Sequence, residues 1–157
     1  MKVNIGITQK NTSAIAGILH VILADEFVLY TKTLNAHWNV EGHDFHAMHL
    51  FFESQYNELQ EKNDSIAERI RSIGHYAPAT LKQILELTRL SEQSRSKNDA
   101  PGFIKELLAD HESVIIHLRE KIEEIDGKLG DAGTADFLTS LMEFHEKTAW
   151  MLRAHLV

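Results

Sequence analysis

Between residues 12 and 38 the apolar positions Ile15, Leu19, Leu23, Phe27, Tyr30 and Leu34 step by three or four, and His37 continues the stripe. That period predicts one amphipathic helix. The segment NVEG interrupts it, and Asp44 then offers an N-cap for a second helix that runs to about residue 73, with Gly74 in the C′ position. Residues 75–98 read as a long connection that holds one short helix at about 80–88. A third helix is predicted to start at Pro101, in the N1 position, and to stop before Gly127; a fourth starts after Thr134 and runs to about residue 154. Four long helices, no strand-like alternation and one long connection in the middle predict an all-α four-helix bundle with a crossover. A simple up-and-down bundle is the weaker reading, because antiparallel neighbours need a far shorter connection. One domain over residues 1–157 is expected.

Composition narrows the chemistry. With 43% hydrophobic and 25% charged residues the chain is globular in type, and without cysteine it can form no disulfide, thiolate metal site or cysteine nucleophile. That suits a reducing cytoplasm, and a cytoplasmic location is expected. The N-terminal stretch MKVNIGITQKNTS lacks the apolar core of a signal peptide, and no run approaches the roughly 18 to 20 uninterrupted apolar residues that cross a bilayer. No membrane association is expected. The net charge of −7, from 23 acidic and 16 basic residues, argues against a general nucleic-acid binder and for a cation as partner. A basic arm would change this, but the first thirteen residues carry only Lys2 and Lys10.

The candidate chemistry lies in AHWNVEGHDFHAMHLFFE, where His37, His43, His46 and His49 crowd together ahead of Glu53. A bundle with one crossover is the ferritin-like arrangement, whose usual di-iron site needs a Glu-x-x-His pair on two helices. None of the ten histidines has a glutamate three residues before it, so that site inside one bundle is not expected. Instead the second helix carries His49 and Glu53 at i and i+4, then Asp64 and Glu68 at i and i+4, all within one stripe. Glu53 and Asp64 are about 16 Å apart along the axis, too far to share a metal within one helix. An antiparallel second copy would close the gap, since a two-fold axis near Glu58 and Leu59 sets His49 and Glu53 of one chain against Asp64 and Glu68 of the other. His37 could add a nitrogen if the bundle brings it beside His49. Such a set suits iron(II), zinc or manganese. The same stripe can also be read as a solvated charged face, with Lys62 and Arg69 as ion-pair partners.

These residues also carry a family resemblance. HWNVEGHDFHAMHLFFE followed by DSIAERIRSIG resembles the two signature regions of the Dps proteins, the mini-ferritins also called DNA-binding proteins from starved cells. The likeness covers about residues 12–154. It implies a ferritin-like bundle assembled into a hollow dodecamer that oxidises iron(II), with hydrogen peroxide in preference to dioxygen, and stores iron(III) oxide. Carried over by position, it implies His37, His49 and Glu53 as ferroxidase ligands from one subunit, with Asp64 and Glu68 from its two-fold mate. It implies pore-lining acids near the last helix, here Asp126, Asp131 and Asp136, for which helix capping is the competing role. Trp38 matches an aromatic beside the centre, with packing at an interface as the other reading. His43 and His46 are extra to the ligand set and are expected at most in its surroundings. Met48 and Asn63 depart from the family pattern without removing a ligand. Relatives that bind DNA often use a lysine-rich extension; this chain has none, and twelve copies at −7 each would carry −84, so weak or no DNA binding is expected.

Overall fold

The computed structural model of the chain describes residues 3–92 and 95–157; Lys2 lies outside them. Four long helices, α1 (Gln9–Asn39), α2 (Phe45–Ser72), α4 (Ala100–Glu124) and α5 (Ala132–Ala154), form the bundle, and the short α3 (Leu81–Leu87) lies in the connection between α2 and α4. The all-α, ferritin-like bundle expected from periodicity is what the chain adopts. Its core is a continuous cluster built from Leu19 and Leu29 of α1, Phe52, Leu59 and Ile66 of α2, Phe103 and Leu107 of α4, and Leu138 and Leu152 of α5. By length and composition α1 would suffice to cross a bilayer, but most of its apolar window is buried in this core.

Local capping moves several helix ends from their expected places. Thr8 accepts a hydrogen bond from the Asn11 backbone at 3.2 Å, so α1 begins at Gln9 rather than at residue 12. Asp44 stands at the N-cap of α2 without making a side-chain cap bond. Asp99 caps α4, which puts Pro101 in the second helical position instead of the first. The chain does not stop before Gly127: α4 continues as a π-helical turn, Ile125–Leu129, and breaks at Gly130, whose φ of 71° is left-handed. Helix α5 opens at Ala132, not after Thr134, because the buried Asp131 caps it by accepting from the Thr134 backbone at 2.9 Å.

The long connection is tied to α1. Asp25, 1% exposed, accepts from the Thr88 hydroxyl at 2.9 Å and from Arg89 Nε at 2.8 Å. Lys32 donates to the Ser91 carbonyl at 2.9 Å and pairs with Glu106 at 3.0 Å. At the other end of α1 the Glu41 backbone N–H donates to Asn98 at 2.8 Å, which sets the α1–α2 turn against the start of α4.

Among the described residues three ionisable side chains, Glu26, His111 and His145, are 0% exposed and interrupt the apolar core. Glu26 of α1 lies 2.6 Å from His145 of α5, and His145 Nδ1 lies 2.8 Å from Nδ1 of His111 of α4. Burial, and then the neighbouring His145 ring, hold His111 well below the ordinary histidine value of 6.5, so in the fold this ring is neutral. The unfolded chain accepts a proton there and the folded His111 does not. Stability is therefore complete above about pH 6.5 and falls below it, by about 1.4 kcal/mol per pH unit for each proton taken only by the unfolded chain. The urea midpoint at constant protein concentration is expected to drop as pH falls below this value, and His111→Leu to flatten that slope; an unchanged slope in the variant would assign the effect to another group.

Candidate metal centre

The last turn of α1 and the first turns of α2 place His37 and His49 face to face. Their rings stack with centroids 3.8 Å apart and planes inclined by 20°. His37 Nδ1 lies 2.8 Å from the His49 carbonyl oxygen, and His49 Nδ1 lies 2.8 Å from the His37 carbonyl oxygen. A carbonyl can only accept, so both Nδ1 atoms carry the proton and donate. When the rings are neutral, both Nε2 atoms are left as lone pairs. A backbone carbonyl on the far nitrogen is the usual support of a metal-binding imidazole. Here each histidine gives that support to the other. His37 is 7% exposed and His49 is half-buried; the Tyr56 ring meets His37 edge-on at 5.1 Å, and the Phe45 ring lies 5.2 Å from His49.

Glu53 follows His49 by one turn and is half-buried, whereas Asp64 and Glu68, further along α2, are exposed. Among the described residues none of these three carboxylates makes a side-chain hydrogen bond or ion pair. The basic neighbours that a solvated charged face would use are engaged elsewhere. Arg69 donates to Thr134 at 2.9 Å and pairs with Asp131 at 3.1 Å, and Lys62 lies over the Phe144 ring at 5.1 Å. Among the described residues of one protomer, no three His, Asp or Glu side chains converge closely enough to hold a metal. The fold thus brings His37 to His49, but it does not gather the five expected ligands within one chain.

The remaining candidates fall into separate places. Trp38 is 69% exposed, and His43 and His46 are exposed on the turn before His49. Asp126 and Asp136 are exposed, while Asp131 is 4% exposed with its carboxylate bonded to Thr134 and Arg69. Burial alone would raise the Asp131 carboxyl, but the two Thr134 bonds and the Arg69 guanidinium outweigh it and hold the group below its usual range. Asp131 is therefore committed to the helix cap. The core group Glu26, His145 and His111 was not singled out from the sequence. Its signal is a histidine inside an apolar stripe, as His111 is between Leu107, Val114 and Leu118.

Comparison with known proteins decides the family. The model of the ferritin-like domain matches residues 16–157. A DNA protection during starvation protein of Helicobacter pylori is 34% identical over 142 residues, covering 88% of this chain and 96% of the relative. The chain belongs to the Dps family of ferritin-like proteins. A low temperature-induced protein of Nostoc is 39% identical over 155 residues, 99% of this chain and 87% of its own length. The crystal structure of the Dps protein from Vibrio cholerae, described as a member of a broad superfamily of ferritin-like diiron-carboxylate proteins, superposes with a TM-score of 0.92 at 29% identity. That match covers 100% of this chain and 98% of the other.

The paired lone pairs of His37 and His49 make zinc(II) a direct probe of this centre. His49→Ala is expected to weaken zinc binding by at least about tenfold, the lower bound set by loss of even an outer-shell partner. Competition with a metallochromic chelator measures it, and equal affinity in wild type and variant would remove His49 from the centre.

Proposed function

We propose that this Dps protein oxidises iron(II) at sites shared between two subunits and stores the iron(III) product inside a hollow dodecamer. His37, His49 and Glu53 of one subunit act with Asp64 and Glu68 of its two-fold mate. The observation that carries this reading is the reciprocal His37–His49 hydrogen bonding, which uses the Nδ1 atom of each stacked ring and leaves the Nε2 of each as the free lone pair. The carboxylates that would complete the set have no other partner among the described residues of the protomer. Nitrogen and carboxylate donors without sulfur suit iron(II), and zinc and manganese are expected to compete for them.

Iron(II) is the substrate and supplies the electrons; hydrogen peroxide, preferred over dioxygen, accepts two of them, so no hydroxyl radical is released. The protein's part is to orient and to shield. The carbonyl of each histidine fixes the ring and tautomer of the other, the Tyr56 and Phe45 rings cover two sides, and the α2 stripe presents carboxylates to a second copy. Trp38, His43 and His46 belong to the surroundings of the shared site. The exposed Asp126 and Asp136 would admit iron through a pore between subunits, with Asp131 retained as a cap. A single domain of residues 1–157 and a cytoplasmic location complete the reading.

Adding iron(II) anaerobically and then peroxide, with ferric absorbance as the signal, tests the assignment. The His49→Ala/Asp64→Ala double variant should lose rapid oxidation, and unchanged rates would sink the site. Sharing has its own test: mixing subunits that carry His49→Ala with subunits that carry Asp64→Ala should restore activity, because each mixed pair regains one intact site.

Compaction of DNA is the alternative role within the family, and the charge of −7 per chain disfavours it. Plasmid is expected to run unretarded with the protein at neutral pH and ordinary salt. Retardation that weakens as salt rises would reverse that view.

A further inference from the structure

The bundle core contains a polar chain that the shared centre does not use. Glu26, His145 and His111 are each 0% exposed and lie in line, with Glu26 Oε1 2.6 Å from His145 Nε2 and the two Nδ1 atoms 2.8 Å apart. Hydrogen positions follow from what each atom can do. The Glu26 carboxylate only accepts, so His145 Nε2 carries a proton toward it. With both rings neutral, His145 Nδ1 is a lone pair and His111 Nδ1 must donate to it. His111 Nε2 is then a second lone pair, fully buried and without a partner among the described residues, and Glu26 Oε2 likewise has none.

In that state the core holds the charge of Glu26 with no cation opposite it among the described residues. The other buried charges among the described residues are matched: Asp25 with Arg89, Lys32 with Glu106, Asp131 with Arg69. Asp110, next to His111 in sequence, also faces Lys32. From α5 the Phe144 ring packs edge-on against His145. An uncompensated buried charge is costly, and orphaned buried polar atoms are rare enough to require an explanation.

We propose that Glu26, His145 and His111 form an internal proton-binding site that takes one proton per subunit. The proton adds to His111 Nε2, the Nδ1–H bond of His111 breaks as an Nδ1–H bond forms on His145, and His145 becomes an imidazolium against the Glu26 carboxylate. Neither hydrogen bond is lost. The one between the rings reverses direction, His111 changes tautomer, and the chain goes from one negative charge to none. His111 relays the proton without keeping it, in line with burial and the His145 ring holding it neutral.

Solid-state nitrogen NMR of native protein labelled at histidine reads both rings, over the pH range in which near-ultraviolet circular dichroism reports native packing. As pH falls, the unprotonated nitrogen of His111 should move from Nε2 to Nδ1, at the same midpoint at which His145 loses its unprotonated nitrogen. Glu26→Gln removes the countercharge and should lower that midpoint by about one pH unit or more. A His111 that keeps one tautomer throughout, a His145 that titrates alone, or a Glu26→Gln variant that titrates like the wild type would overturn the proposal. Rings that prove to hold a metal resistant to chelators would overturn it as well. If Glu26→Gln does not fold, the paired events in the wild type decide.

Discussion

Two hydrogen bonds of 2.8 Å, each from an imidazole Nδ1 of one helix to a main-chain carbonyl of the next, lock the end of α1 to the start of α2 and build the candidate centre. Because donor and acceptor are exchanged between the same two residues, ring orientation, tautomer and the separation of α1 from α2 are fixed together. The turn that makes this geometry available depends on Gly42, whose φ of 140° is disfavoured for other residues and whose added Cβ would meet the Asp44 carboxylate at 3.2 Å. The turn is also pinned to the end of the connection through Glu41 and Asn98.

Two sets of carboxylates contrast. Asp25, Glu106, Asp110 and Asp131 hold the bundle together: Asp25 fixes the connection, Glu106 and Asp110 answer Lys32, and Asp131 caps α5 while binding Arg69. Those along one stripe of α2, namely Glu53, Asp64 and Glu68, have no such role. With Arg69 and Lys62 turned toward α5, that stripe is acidic and open to a second copy. In the proposed function iron oxidation depends on assembly, because about 16 Å of helix separates His49 and Glu53 from Asp64 and Glu68.

The buried Glu26–His145–His111 chain shares no residue with that stripe. A neutral buried histidine makes the fold weaker in acid, and the proposed uptake of one proton would limit the loss by neutralising Glu26. The two proposals thus rest on separate residues and are tested by separate substitutions.

Apolar period, the NVEG break, the glycines and the Pro101 signal were enough to read four long helices and their crossover, because those features act over a few residues of chain. The i, i+4 spacing of His49 with Glu53 and of Asp64 with Glu68 was legible for the same reason, and helix rise showed that one chain cannot close the site. Contacts between residues far apart in sequence were not legible. Only packing decided that His37 and His49 exchange hydrogen bonds, that Arg69 turns to Asp131 and makes it a cap, and that Glu26 meets His145 across 119 positions of chain. A histidine in an apolar stripe looks the same whether it is a lone core residue or part of a proton path, and the difference lies in what the other helices place against it.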